Sequence, residues 1–293
     1  MDHSGRLNIS APAKINIGLD ILHRRPDGFH DIDTIMLPIS LADSLELQLA
    51  ASEQFSCSDP DLPMDADNLV IRALRLFEQE SGIKTSLQVH LEKRIPSGAG
   101  LGGGSSDAVA MLRGANQLYD EPLSFDSLLK ITRRLGSDIP FFLYDSPCRA
   151  TGRGELLEKV TFPAFSGVVI YPGFSVSTAI AYQSVDLSLT SASRFSSLKS
   201  FVKSGFTLTD WQTTISNDFE LTIFQMHPEL ARLKQQLYDG GAGYASLSGS
   251  GSALFALYRS PHQRDEALQL LDADQSVFSI ETSGSNPTDT AVQ

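Results

Sequence analysis

Residues 96–107 run Pro96-Ser97-Gly98-Ala99-Gly100-Leu101-Gly102-Gly103-Gly104-Ser105-Ser106-Asp107, five glycines and three serines in one short segment. Glycine has no Cβ, so consecutive amides can turn toward one point in conformations that other residues avoid. Their N–H groups then converge as donors around an anion. Ser105 and Ser106 close the segment, where a hydroxyl can cap a helix, contact a phosphate oxygen or approach a bound Mg²⁺.

The flanks decide between readings of this loop. Upstream, Leu87, Val89 and Leu91 alternate with Gln88, His90 and Glu92, a strand pattern; downstream, Ala108, Met111, Leu112, Ala115 and Leu118 recur at helical spacing. A flexible connector would not be framed so regularly, and a helix N-terminus just after the loop favours a phosphate. Gly98, Gly100 and Gly103 satisfy the G-x-G-x-x-G dinucleotide pattern, but Asp120 and Glu121 fall between two helices and not at the end of a following strand. The Walker loop needs Gly-Lys-Ser/Thr, where this chain has Gly104-Ser105-Ser106. A nucleotide phosphate site of another type is the expectation that survives.

Two other places carry polar groups of the right kind. Ile15, Ile17, Leu19 and Ile21 share one face of an N-terminal strand, which sets Lys14, Asn16, Gly18 and Asp20 on the other, either a solvated face or one lining a cleft. The turn that follows, Arg24-Arg25-Pro26-Asp27-Gly28, ends in Phe29 and His30, an aromatic that can stack on a base beside a ring that can hydrogen-bond its edge. Asp138, in Gly136-Ser137-Asp138-Ile139-Pro140, fits two roles equally: an N-cap, or a carboxylate against the apolar Phe141-Phe142-Leu143, suited to taking a proton from a substrate hydroxyl.

These residues need a scaffold, and the chain is long enough to supply one. With 293 residues, 41% of them hydrophobic, it can bury one large or two medium cores. The formal net charge of -12 argues against nucleic acid or an anionic membrane as partner, because both need a basic footprint. Cys57 and Cys148 lie far apart without metal-ligand spacing, and no signal sequence or apolar span of about 20 residues is visible, so a cytoplasmic protein is expected.

Strands and helices come in mixed order, which predicts an α+β fold. Leu45, Leu47 and Leu49 read as a strand; Val70, Ala73, Leu74 and Phe77 as a helix ending near Gly82; residues 124–135 as a helix stopped at Gly136. A second block opens near Phe162 with the apolar Val168, Val169 and Ile170. Residues 185–204 are Ser/Thr-rich and read as a surface stretch. Helices at 228–238 and 262–271 and strands at 244–247, 253–258 and 276–281 close the pattern, leaving 282–293 as a disordered tail.

Taken together, Pro12-Ala13-Lys14-Ile15-Asn16, Arg25 to His30, Gly98 to Asp107, Leu135 to Phe142, Gly152-Arg153-Gly154-Glu155, Asn217-Asp218-Phe219-Glu220 and Ser248-Gly249-Ser250-Gly251-Ser252 resemble the GHMP kinase superfamily from about Leu7 to Glu281. The resemblance implies a two-domain α+β kinase, an N-terminal ATP-binding domain over 1–158 and a C-terminal domain over 159–293, with ATP and substrate in the cleft between them. It implies that Pro96, Ser97, Gly98, Ala99, Gly100, Leu101, Gly102, Gly103, Gly104, Ser105 and Ser106 hold the ATP phosphates, with Mg²⁺ accompanying ATP and Ser106 a possible ligand. Asp138 would be the base, and Lys14 would orient the hydroxyl and Asp138 and offset developing charge. The segments Asp27 to His30 and Asn217 to Glu220 are particular to the branch acting on a small molecule with a cytidine diphosphate moiety. There Phe29 and Tyr182 would sandwich the cytosine, His30 would bond its edge and Asn16 would lie near the reacting end. Phe29 stands where a tyrosine is usual, so stacking survives and any phenol contact is lost. Gly249 to Ser252 would border the phosphates, although a plain turn between strands fits the same letters. No obligatory protein partner is expected.

Two rival functions remain open at this level. A kinase of the same superfamily could act on homoserine, mevalonate or a sugar, but none of these offers a base for Phe29 and His30. A silent nucleotide-binding protein could share the scaffold, but it would have no use for both Lys14 and Asp138.

Overall fold

The computed structural model describes residues 5–185, 208, 211–271 and 276–283. The α+β expectation holds: strands and helices follow one another without regular alternation. The chain divides into two compact units, one formed by Met1–Ala13, Leu41–Pro96 and Gly102–Leu143, the other by Lys14–Ser40, Ser97–Leu101 and Tyr144–Gln293. Neither is a continuous stretch, because two long strands, β1 (Arg6–Arg24) and β2 (His30–Leu49), contribute to both.

In the first unit, residues 44–49 of β2 pair antiparallel with β4 (Leu87–Glu92), which pairs parallel with β3 (Gln54–Cys57). On β4, Leu87, Val89 and Leu91 are buried while Gln88, His90 and Glu92 face out, the period-2 signature of a half-covered sheet. Helix α1 (Leu69–Ser81) packs against α2 (Gly103–Leu118) and α3 (Phe125–Leu135). It buries Val70, Ala73, Leu74 and Phe77, an i, i+3, i+4, i+7 stripe in which Leu74 and Phe77 each contribute roughly 1.5–3 kcal/mol. The ends of α1 are fixed by Asn68, whose side chain accepts the Val70 amide, and by Gly82 in the left-handed region at φ 71. Ser124 caps α3 in the same way, Gly136 follows it in an extended conformation, and the short α4 (Phe141–Tyr144) comes next.

In the second unit, residues 32–36 of β2 pair with β5 (Cys148–Gly152), which pairs with β6 (Leu156–Lys159). A separate 4-stranded antiparallel sheet has the order β10-β7-β9-β8, from β7 (Ser166–Tyr171), β8 (Tyr244–Leu247), β9 (Leu254–Tyr258) and β10 (Ser276–Glu281). The described helices here are α5 (Thr178–Ser184), α6 (Trp211–Thr214), α7 (Phe219–Met226), α8 (Pro228–Asp239) and α9 (Pro261–Leu268). Val168, Ile170, Leu254 and Ala256 of the sheet pack with Ile223, Leu230, Leu233 and Leu237 of α7 and α8 in one core. Among the described residues no helix is long and apolar enough to cross a membrane.

Several expectations are corrected. Of the two readings left open for the polar face of β1, the solvated one falls: Lys14, Asn16 and Asp20 are 6%, 2% and 6% exposed. Helix α9 stops at Leu268 instead of Leu271: Leu270 is 67% exposed in the turn beyond it, while Leu271 packs partly buried against the core. The described chain also reaches beyond Glu281. The Thr282 amide donates to Phe165 O at 2.9 Å and its hydroxyl accepts the Phe165 amide at 2.8 Å, while the Ser283 amide reaches Pro38 O. The rest of the expected tail, 284–293, and the Ser/Thr-rich stretch after Val185 lie outside the described residues.

Candidate active site

Residues 97–101 of the glycine loop belong to the second unit and are stitched there on both sides. The Lys14 amide donates to Leu101 O at 2.9 Å and the Ala253 amide to Ala99 O at 3.1 Å. The Ser248 hydroxyl donates to Gly100 O at 2.9 Å. Gly100 adopts φ +78, and a Cβ there would sit 2.0 Å from Ser248 O, a main-chain atom with no room to yield. Only glycine fits. Gly98, Gly100 and Gly102 all have positive φ, and left-handed residues spaced in this way turn successive amides into an anion-binding concavity.

Lys14 lies directly on this loop. Its ammonium donates to Gly100 O at 2.7 Å and to Asn16 Oδ1 at 2.5 Å, charge-assisted bonds that hold a buried cation in place. The Asn16 amide donates in turn to Thr34 Oγ1 at 3.1 Å, and the Thr34 hydroxyl donates to Gly18 O at 2.5 Å. A Cβ on Gly249 would touch Asn16 Oδ1 and Lys14 Nζ at 3.4 Å, so the segment Gly249 to Ser252 borders the lysine as well as joining β8 to β9.

The segment Asn217 to Glu220 turns out to brace this region. Asn217 Nδ2 donates to Leu247 O at 3.1 Å and Gly249 O at 2.7 Å; Asp218 Oδ2 accepts the Ile21 amide at 2.8 Å. Glu220 accepts the Ser246 hydroxyl and the Leu247 amide, with Lys234 Nζ on its other oxygen at 2.6 Å. These side chains fix β1 and β8 against each other around the third glycine segment. No periodicity in the sequence announces such pins.

Gly102 to Ser106 and Asp138 belong to the first unit. Helix α2 starts earlier than Ser105 and Ser106 suggest: its N-cap is Gly102, with no side-chain cap bond, whereas α1 and α3 are capped by Asn68 and Ser124. The first-turn amides of α2 therefore have no side-chain acceptor from their own cap, the usual setting for an anion. The two serines lie inside the first turn and a half. Ser105 donates to Asp138 Oδ1 at 3.1 Å, while Ser106 Oγ is buried with no hydrogen-bond partner among the described residues. The Asp138 main-chain oxygen accepts the Phe141 amide that opens α4.

Behind this helix lies a cluster the sequence reading missed. The Lys93 ammonium is shared by Asp43 and Asp107, at 2.8 Å from Asp107 Oδ2, and all three side chains are buried. Asp43 Oδ1 also accepts the Arg94 and Ile95 amides, which lead into the glycine loop. Burial and the Asp43 charge push the Asp107 carboxyl up to about 7 against the opposing pull of Lys93. Among the described residues no group of three or more His, Cys, Asp or Glu could hold a metal ion.

The aromatic residues gather in the second unit. The turn carrying them is closed by the Arg25 amide donating to Phe29 O at 2.7 Å and by Asp27 Oδ1 accepting the Phe29 amide at 3.2 Å. His30 stacks on Tyr182 at 5.1 Å and 9°, and Tyr182 meets Phe219 edge-on at 4.9 Å. Burial, with the Arg24 charge, lowers the His30 pKa, which keeps the ring neutral and able both to donate and to accept. Phe29 is 53% exposed and has the Arg153 guanidinium 4.9 Å from its ring centre. Tyr182 is thus brought onto His30, and Phe29 onto Arg153.

Residues 68–146 match the family described as GHMP kinases N terminal domain, and 207–273 the one described as GHMP kinases C terminal. A 4-diphosphocytidyl-2-C-methyl-D-erythritol kinase of Solibacter usitatus is 41% identical over 94% of this chain and 88% of its own length. The protein of the same name from Solidesulfovibrio magneticus is 43% identical over 90% of this chain and 92% of its own. The crystal structure of a 4-(cytidine 5'-diphospho)-2C-methyl-D-erythritol kinase superposes with TM-score 0.81 at 32% identity, covering 95% of this chain and all of that one.

Proposed function

Because the chain belongs to the 4-diphosphocytidyl-2-C-methyl-D-erythritol kinase family of the GHMP kinases, we propose that it transfers the γ-phosphoryl group of ATP to the 2-hydroxyl of 4-(cytidine 5'-diphospho)-2-C-methyl-D-erythritol, in non-mevalonate isoprenoid precursor synthesis. Phosphoryl transfer asks a protein for positioning and charge neutralisation more than covalent chemistry. Asp138 takes the proton of the 2-hydroxyl, the oxygen bonds to the γ-phosphorus, and the bond from that phosphorus to the β–γ bridging oxygen breaks to release ADP. The amides of the loop from Pro96 to Ser106 hold the phosphates, and Lys14 offsets the negative charge that builds on the transferring group. Asn16 holds the ammonium at that position. Mg²⁺ bound with ATP would neutralise phosphate charge, and the Ser106 hydroxyl, buried with no hydrogen-bond partner among the described residues, suits it as a ligand.

The observation favouring this substrate over an alcohol without a base is the aromatic group of Phe29, His30 and Tyr182. Stacking and edge hydrogen bonding from such residues suit cytosine and have nothing to grip in mevalonate or homoserine. An ADP-release assay with the cytidylyl substrate, mevalonate and homoserine side by side tests the reading. Turnover is expected with the first alone; comparable rates with either of the others, or none with any, would reject it.

A further inference from the structure

The Gly152 to Glu155 segment belongs to the sequence pattern of the family but has no part in the chemistry above. It forms the tight connection between β5 and β6: Gly152 and Gly154 have φ 68 and 105, and the Gly154 amide donates to Thr151 O at 3.1 Å. Glu155 fastens it from within. Its Oε2 accepts the Arg153 amide at 2.6 Å, and its Oε1 lies 3.7 Å from Arg153 Nε. The guanidinium is thereby aimed at one face of Phe29, 4.9 Å from the ring centre. Arg153 Nε is buried and makes no hydrogen bond among the described residues; the guanidinium sits over the ring, with the looser Glu155 ion pair and the charge of Asp27 near it.

Phe29 itself needs such a contact. It stands at the tip of a turn, more than half exposed, and as a phenylalanine it has no hydroxyl with which to anchor its ring. A base stacks well only on a ring whose plane is already set, because ordering that ring on binding would subtract from affinity. A cation over one face sets the plane by attraction to the ring's negative quadrupole and leaves the opposite face open.

We infer that Arg153 is a positioning residue for the cytosine half of the substrate, bracing one face of Phe29 so that the base stacks on the other. This rests on the base-stacking reading of Phe29. Arg153→Met keeps the bulk and removes the charge; Arg153→Lys restores a cation. In steady-state assays Arg153→Met should raise KM for the cytidylyl substrate roughly 3- to 30-fold, the range of a cation–π contact, with kcat and KM for ATP within about twofold. Arg153→Lys should recover most of the loss. In a Phe29→Ala background the same Arg153→Met change should add nothing, since the ring it acts through is gone.

An unchanged substrate KM in Arg153→Met, an equal effect in the Phe29→Ala background, or a parallel rise in KM for ATP would each overturn the inference. If Phe29→Ala alone leaves the substrate KM unaltered, the stacking reading falls and this one with it. If Phe29→Ala raises KM while Arg153→Met does not, only the role of Arg153 is lost.

Discussion

Ser105 donates its hydroxyl proton to Asp138 Oδ1 at 3.1 Å, so a residue of the phosphate loop also orients the proposed base. Asp138→Asn keeps an acceptor for Ser105 but cannot take a proton. It should lower kcat roughly 10²- to 10⁴-fold while leaving the melting temperature nearly unchanged. Ser105→Ala should cost less, about the 1.5–3 kcal/mol of one hydrogen bond to a charged group. Near-normal turnover in Asp138→Asn would remove it from the mechanism.

Lys14 bonds to Gly100 O and Asn16 while nearly out of solvent, so its charge holds the loop and, in the proposed reaction, would also face the transferring group. Lys14→Met should reduce kcat by about 10²-fold or more, the scale seen when one stabilising donor is removed from a developing anion. Thermal unfolding should also show a loss of roughly 1.5–3 kcal/mol from the charge-assisted bonds. A stability loss with intact kcat would make Lys14 a purely structural residue.

Gly100→Ala would place a methyl carbon 2.0 Å from Ser248 O in a left-handed conformation. The loop must shift or the β8–β9 connection must open, at a cost on the order of 1–3 kcal/mol for the backbone strain alone. Isothermal titration with a non-hydrolysable ATP analogue should find affinity reduced at least about tenfold, equivalent to about 1.4 kcal/mol. Wild-type affinity in that variant would mean the loop does not grip the triphosphate.

Asp43 and Asp107 share one ammonium, that of Lys93, so ionising both would leave a net negative charge in a buried place. Asp107, pushed up to about 7 by burial, therefore holds its proton in the native state where an unfolded aspartate, near 3.9, has lost it. Between about pH 4 and 7 the native form binds more protons, so this residue's contribution is full below about 4 and is lost as pH rises through about 7. Asp107→Asn abolishes that titration. Its melting temperature relative to the parent should rise between about pH 5 and pH 8, and a flat or falling difference would refute the shift.

The parts legible in the sequence were those with a repeating burial pattern. On β4 and α1 one face is covered and the other wet, so the side chains themselves report the geometry. The first half of β2 carries no such signal: Ile32, Asp33, Thr34, Ile35, Met36 and Leu37 are all buried, and alternation vanishes when both faces are covered. The Asp43, Lys93 and Asp107 cluster, like the pins from Asn217 to Glu220, joins residues far apart in the chain, and only the folded path reveals them. Ser105 and Ser106 looked like caps because serine favours that position; the helix instead begins at Gly103, entered from Gly102 in the left-handed region.

A hydroxyl has a single proton to give, and Thr34 has already given its own to Gly18 O. Toward Asn16 it can only receive, which obliges that amide to show its NH₂ to Thr34 and its oxygen to the ammonium of Lys14. The relay is one-way: a carbonyl inside β1 dictates which end of an asparagine greets the lysine. Thr34→Val would break the polarity and strand the Asn16 NH₂ without that acceptor, leaving the ammonium alone to hold the amide's orientation.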